Sequence, residues 1–391
     1  MGGSANGAAG GPDRLSAAPV RADWNRFSSW SVRDARLALF AFLALLIASA
    51  LVPVEAGDSG VTTQGFVENI AGKPAPKRER DQDLALYDRA IERIQLGENY
   101  YDFIAEEHRK FDYPVRPGVA VRLPTLAYLD AWLGVPGQIA ASFVLLISVL
   151  LAWWRRLGEE TDSARKRLLG FSLLFVGASL GLTRYFFVLH ELWAGMLLAL
   201  AFGLHRPGKW GWSLAVAALA LAIREHALPF VLLMGALAFW RRDWKEGAAW
   251  SALAAVFLVL LGLHLHIVAQ HVLPSDPYGQ GWMQLRGLSG WMSFVGLSSN
   301  LRFLPDPVVG PVVMLAMLGW AAWRTPAGTF GFLLYGGYGL LFMIAGRPDN
   351  YYWGMMVAPA MLVGLAFAAP GLSKLIELAT REGPLPQRHC A

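Results

Sequence analysis

Asp83-Leu-Ala-Leu-Tyr87, Gly97-Glu-Asn-Tyr-Tyr101, Tyr113-Pro-Val-Arg-Pro117 and Arg122-Leu-Pro-Thr125 follow one another within a polar stretch, residues 55–134. This stretch separates the first apolar run of the chain from all later ones. After Asp83, the residues Leu84, Tyr87, Ile91 and Ile94 recur at three- and four-residue spacing until Gly97. That period predicts an amphipathic helix with a glycine stop. Tyr101, Ile104, His108 and Phe111 predict a second one, broken by Pro114 and Pro117. Both are too polar to cross a bilayer and belong on a membrane surface or against a bundle. Lys73-Pro-Ala-Pro-Lys77 marks the preceding residues 61–80 as irregular.

Outside this stretch the chain is apolar. Its 391 residues are 55% hydrophobic and 16% charged, against about 25% charged in a typical soluble domain. The mean hydropathy is +0.39. The expected fold class is therefore an all-α polytopic membrane protein. Apolar runs at 37–54, 136–154, 168–187, 192–204, 212–223, 228–240, 248–268, 307–323, 328–345 and 351–367 predict about ten transmembrane helices. Several are shorter than the ~20 residues of a straight span, so they borrow flanking polar residues or enter only partway.

Orientation follows from charge. Arg14, Arg21, Arg26 and Arg33 precede the first run, and Glu55 and Asp58 follow it. Arg155-Arg156, Arg165-Lys-Arg167, Arg241-Arg242 and Arg324 then fall at alternate boundaries. The positive-inside rule puts both termini in the cytoplasm and the large polar loop outside. The expected partition is a disordered cytoplasmic tail (1–35), a first span (36–54), an extracytoplasmic loop with amphipathic helices (55–135), a transmembrane bundle (136–369) and a cytoplasmic tail (370–391). The net charge of +5 is spent on orientation. No nucleic-acid partner is expected, and membrane lipids are. The single cysteine, Cys390, allows neither a disulfide framework nor a cysteine metal site.

The outward ends of the predicted spans gather ionisable residues: Arg184, His190-Glu191, Arg224-Glu225-His226 and Arg347-Pro-Asp-Asn-Tyr-Tyr-Trp353. Such groups at membrane depth cost roughly 2.5–3.5 kcal/mol each on insertion scales, so they mark a cavity or a pathway. Guanidinium forks suit phosphate, and a carboxylate at the wet end suits a general base. The combination fits a lipid-phosphate-linked donor with its head group at the interface. Each group also has a plainer reading. Asp83 is a good helix N-cap, Glu191 suits a helix N-terminus, Arg224 and Glu225 can pair with each other, and Arg347 can snorkel. His190-Glu191 is no zinc-peptidase motif, because position 194 is Ala. His264 and His266 are two apart and make a poor metal pair.

The layout resembles the GT-C superfamily of polyprenyl-phosphate-sugar-dependent glycosyltransferases. There, one span is followed by a large outer loop with surface helices and a catalytic acid, and many spans come after. Asp83-Leu-Ala-Leu-Tyr87 with Gly97-Glu-Asn-Tyr-Tyr101 is similar to the Asp-x-x-x-Tyr…Gly-x-x-Tyr pattern of bacterial members. The resemblance implies a transferase of the bacterial inner membrane. It would move a sugar from a polyprenyl-phosphate donor to a lipid, glycan or protein acceptor, by inverting single displacement on the extracytoplasmic side. It implies Asp83 and Glu191 as catalytic carboxylates. The family's acid often lies nearer the first span, so Asp58 rivals Asp83. Tyr87, Arg122, Arg184, Arg224, Glu225, His226, Arg347, Asn350 and Tyr351 are the expected substrate-binding residues. No cofactor is required, although a divalent cation could bridge Asp83 and a phosphate. A lipid-linked-sugar flippase, other transporter, or polysaccharide polymerase is the alternative.

Overall fold

A computed structural model describes residues 24–55 and 82–381. The expectations for Asp58, for the breaker at 73–77 and for Cys390 lie outside the described residues. Within them, helices are the only regular structure. Helix α1 (Val32–Leu51) begins at Ser31, whose hydroxyl accepts from the Asp34 amide at 3.1 Å and so satisfies one orphan N–H of the first turn. Leu37, Phe40, Ile47 and Leu51 stand exposed along it, an exterior suited to hydrocarbon and not to water.

The polar stretch supplies α2 (Gln82–Gln95) and α3 (Tyr100–Lys110), capped by Asn99. Helix α2 packs on α3 and on α4 (Thr125–Glu160). Helix α4 starts well before the expected span at 136, and its backbone breaks at Gly134 (φ 59°), just ahead of Pro136. Only glycine tolerates that φ without strain. The expected boundary between loop and bundle at 135/136 falls on this break.

The bundle continues through α5 (Ala164–Ala178), α6 (His190–Leu204), α7 (Gly211–Ile223), α8 (Leu228–Trp240), α9 (Trp244–Gln270), α10 (Gly287–Leu297), α11 (Asp306–Ala322), α12 (Pro326–Ile344), α13 (Ala358–Met361) and α14 (Leu365–Ala379). Five helical stretches are long and apolar enough to cross a membrane: Val32–Leu51, Gly118–Glu160, Trp244–Gln270, Pro326–Ile344 and Ala358–Ala379. Helices α6, α7 and α11 and the stretch Glu225–Trp240 are shorter apolar ones.

Four expectations need correction. The end of the supposed disordered tail is folded: Phe27 is buried, Asn25 Nδ2 donates to the Pro370 carbonyl at 3.3 Å, and Arg26 Nη2 donates to Thr329 Oγ1 at 2.6 Å. The run at 168–187 is not one helix, because α5 gives way to 3-10 turns at Ser179–Leu182 and Arg184–Phe186. The run at 351–367 is broken into a 3-10 segment (Pro348–Met356), α13, another 3-10 turn (Leu362–Gly364) and α14, which reaches well past 369 into the supposed cytoplasmic tail. Residues 269–306, which none of the predicted spans covers, contain α10, whose Ser293, Phe294 and Val295 are fully buried.

The broken segments are gripped by close backbone approach. A methyl group on Gly319 of α11 would overlap the Gly364 carbonyl oxygen, and one on Gly195 of α6 would overlap that of Met355. Small residues let helices approach where lipid supplies no hydrophobic drive. Gly319→Val is expected to cost on the order of 1–3 kcal/mol or more through overpacking. The measurement is the thermal midpoint and monodisperse yield of purified protein in detergent, and an unchanged midpoint would show that this contact is slack.

Candidate functional site

Asp83 lies in the first turn of α2, held there because Leu84, Leu86 and Ala90 bury the opposite faces of the helix. Its side chain is half-buried. Oδ1 accepts a short hydrogen bond from the Tyr113 hydroxyl, and Oδ2 accepts one from the Tyr352 hydroxyl at 3.1 Å. Hydrogen bonds to a charged acceptor are the strong ones, so the carboxylate is fixed from two directions. Tyr113 follows α3, whereas Tyr352 lies in the 3-10 segment Pro348–Met356.

That segment braces itself. Asn350 Oδ1 accepts from the Arg347 amide at 3.2 Å, and its Nδ2 donates to the Tyr352 hydroxyl at 3.3 Å. The Arg347 guanidinium forks onto Asp349, with Nε and Nη2 at 3.1 and 2.7 Å. The carboxylate of Asp349 raises the pKa of Arg347 and takes up much of its charge. Arg347, expected as a substrate contact, is thus already partnered.

One turn along α2 from Asp83, the Tyr87 hydroxyl accepts from Arg122 Nε at 3.1 Å. Tyr100 donates to the Arg122 carbonyl at 2.8 Å and pins the backbone there. The two Nη groups of Arg122 make no hydrogen bond or ion pair among the described residues. Tyr352 feels the charges of both Asp83 and Arg122, and so does Tyr87. Burial raises both phenols above their ordinary pKa, Asp83 raises them further, and Arg122 opposes. Both therefore remain protonated donors near neutrality. One carboxylate, three phenols and the Arg122 guanidinium thus form a single polar cluster, which we term the chamber.

Beneath it lies a buried ionic layer. Arg224 is fully buried, with Nη2 2.7 Å from Glu191 and Nη1 2.6 Å from Glu225. The Glu191 contact is an ion pair whose alignment falls short of a hydrogen bond. Glu191 is itself buried, and Glu225 nearly so. Glu191 and Arg224, expected as a catalytic acid and a substrate contact, are thus paired with each other inside the protein, and Glu191 also acts on Arg122, Tyr87 and Tyr352 through its charge. The ring of His226 packs on Trp353 with centroids 4.4 Å apart, and His190 sits edge-on to Tyr87 at 5.2 Å.

Two expected site residues fall elsewhere. Arg184 is exposed on the wall of a separate cleft with Asp88, Asp130 and Tyr185. The α5 breakdown into 3-10 turns carries it there. Tyr351 is buried, its carbonyl takes the Ser298 hydroxyl at 2.6 Å, and its phenol faces the Arg302 side; its neighbour Tyr352 faces Asp83 instead. Tyr113 and Tyr352 fall in stretches the sequence marked but were not among the expected site residues, and Arg286 was not marked at all. Both Nη atoms of Arg286 are buried without a hydrogen-bond partner, in the field of Glu55 and Asp349. Nothing in periodicity distinguishes Tyr351 from Tyr352, because a 3-10 segment follows neither helix nor strand spacing.

Helix α3 anchors the roof of the chamber. Glu107, buried, takes Arg93 Nη1 at 2.8 Å, and Arg109 forks onto Asp276 at 2.7 and 2.9 Å. Burial pushes His108 down to about 4, so it is neutral at pH 7 and bonds the Pro114 carbonyl at 3.1 Å as a plain cross-link. His264 is likewise spoken for, by the Tyr101 hydroxyl at 3.0 Å and the Val121 carbonyl at 3.1 Å. No cluster of three or more metal-capable side chains forms among the described residues.

An apolar groove of about 480 Å³ starts at Tyr101 and His264 and runs between α7 and α9, lined by Leu123, Leu221, Phe257 and Leu260. At the far end of the bundle, the charged groups form a network of their own. His205 Nε2 lies 2.7 Å from Glu246, Arg241 donates to Glu246 at 3.0 Å, and Arg156 bonds the His205 carbonyl. Comparison of the chain with family models, curated proteins and solved structures gives no match.

Proposed function

We propose that this chain is an integral membrane transferase that uses a lipid phosphate as leaving group. More particularly, we read it as a glycosyltransferase of the GT-C kind. It would take a sugar from a polyprenyl-phosphate donor and pass it to a lipid, glycan or protein acceptor at the outer face of a bacterial inner membrane. The observation that carries the reading is Asp83, aimed by Tyr113 and Tyr352 into the chamber that the free fork of Arg122 enters.

In this mechanism Asp83 accepts the proton of an acceptor hydroxyl. The acceptor oxygen then bonds to the anomeric carbon, and the bond from that carbon to the phosphate oxygen breaks with its electron pair. One displacement inverts the anomeric centre. Arg122, with Arg286 near the rim, neutralises the charge gathering on the phosphate, a stabilisation that is largest when charge is largest. Glu191, Arg224, Glu225 and His226 hold the floor. The apolar groove beside Arg122 has the shape and lining for a prenyl chain.

The topology belonging to this reading is ten crossings. These comprise the five long helices, the four shorter apolar ones and α5, with both termini in the cytoplasm. A flippase would need a polar path from end to end. Trp153, Phe202, Trp320, Phe330 and Phe230 instead pack ring on ring between the chamber and the far charged network, which favours the enzyme. The test is purified protein in nanodiscs, given labelled polyprenyl-phosphate sugars and candidate acceptors, with and without chelator. Label should enter product with inverted anomeric configuration. Lipid movement between leaflets without sugar release would sink the proposal in favour of a transporter.

A further inference from the structure

The cleft that receives Arg184 is separate from the Asp83 chamber. It has a volume of about 550 Å³ and lies between α2, the Gly134 break of α4 and residues 184–188. Four charged side chains line it: Asp88, Glu92, Asp130 and Arg184. Asp130 is 1% exposed; the Gln138 side chain lies beside it, yet neither carboxylate oxygen makes a well-formed hydrogen bond. A buried carboxylate without well-formed hydrogen bonds costs several kcal/mol, so this wall of the cleft calls for a group that brings N–H or O–H bonds and, preferably, positive charge. The Arg184 guanidinium, exposed and engaged by none of the described residues, calls for an oxyanion at the same cleft. The cleft opens where the apolar run of α4 begins. The exposed Ile139 and Phe143 continue from it along that helix, and Trp132 stands beside it.

We propose that this cleft binds a zwitterionic phosphoethanolamine-type lipid head group, with the phosphate on Arg184 and the primary ammonium on Asp130, flanked by Asp88 and Glu92. Three features select this class. The lining sets Arg184 against Asp88 and Asp130, with Glu92 already paired to Arg89 at 2.5 Å, which disfavours a head group that is anionic overall. The poorly satisfied oxygens of Asp130 need hydrogen-bond donors, which a quaternary ammonium lacks. The neighbouring exposed apolar side chains provide a bed for acyl chains. The site does not depend on the transferase reading and would hold in a transporter equally.

The test is native mass spectrometry of the full chain. The protein would be released from detergent with equimolar phosphatidylethanolamine, phosphatidylcholine and phosphatidylglycerol, alongside a separate arm with water-soluble phosphoethanolamine. Phosphatidylethanolamine should be retained about tenfold over the other two lipids, and Asp130→Asn should remove that preference, the loss of one charge-assisted hydrogen bond or slightly more. Binding of the soluble compound alone, with no lipid preference, would reassign the site to a free metabolite and overturn the lipid claim. Equal retention of the three lipids by the native chain would overturn the proposal outright. Arg184→Ala changes an exposed side chain and so keeps the fold. If phosphatidylethanolamine retention is unchanged in that variant, the phosphate assignment is overturned even where Asp130→Asn cannot be purified.

Discussion

Asp83→Asn is expected to lower the rate of sugar transfer by roughly 10²–10⁴-fold, the range over which a positioned base contributes, while leaving the thermal midpoint near that of the native chain. The amide keeps the shape and one acceptor oxygen, so Tyr113 or Tyr352 retains a partner. What is lost is the ability to take a proton. Tyr113→Phe and Tyr352→Phe each delete one hydrogen bond to the carboxylate, worth about 1.5–3 kcal/mol when the acceptor is charged. They should therefore be slower than the native chain, yet faster than Asp83→Asn. Single-turnover release of labelled lipid phosphate, at matched protein yield, measures all three. Native rates in Asp83→Asn would move the base elsewhere, and Asp58, outside the described residues, would be the next carboxylate to replace.

Arg224→Ala should fail at folding and not at chemistry. The arginine is fully buried and serves two carboxylates, Glu191 at 2.7 Å and Glu225 at 2.6 Å. Removing one partner of a buried ion pair typically costs about 3–5 kcal/mol, because the other charge remains uncompensated, and here two remain. Arg224→Ala is expected to lose most of its monodisperse yield. The triple change Arg224→Met, Glu191→Gln, Glu225→Gln should recover much of it, since no buried charge is then stranded. Arg122→Ala makes the contrast, because its fork makes no direct ion pair among the described residues. That variant should purify like the native chain and lose transfer. A folded, thermally normal but inactive Arg224→Ala would show that Arg224 acts on substrate and that the ionic layer is not structural.

The sequence was most legible where a period could run unbroken. Leu84, Tyr87 and Ile91 announced α2, and Gly97 its end. The long apolar runs announced α1, α9 and α12 within a few residues. It was least legible where backbone approach overrides hydropathy. Residues 351–367 are as apolar as a span, but Gly354, Pro359 and Gly364 let them break into 3-10 and α pieces pressed on α6 and α11. That break decides which tyrosine reaches Asp83. The 3-10 turns after Ala178 likewise carry Arg184 out of the chamber and into the neighbouring cleft. Residue types pointed to ionisable groups gathering at one end of the bundle, whereas which of them meet depended on local backbone geometry that composition does not encode.

The two hydroxyls that orient Asp83 stand far apart in the chain, 30 residues away at Tyr113 and 269 at Tyr352. A nascent chain emerging from the ribosome therefore possesses its carboxylate long before it possesses the second clasp. Until the segment near the C-terminal end has been inserted and folded back, the headpiece is a half-closed bracket around an unaimed acid. The orientation of Asp83 is thereby tied to completion, so fragments lacking the final fifth of the polypeptide would hold that carboxylate without its second hydroxyl.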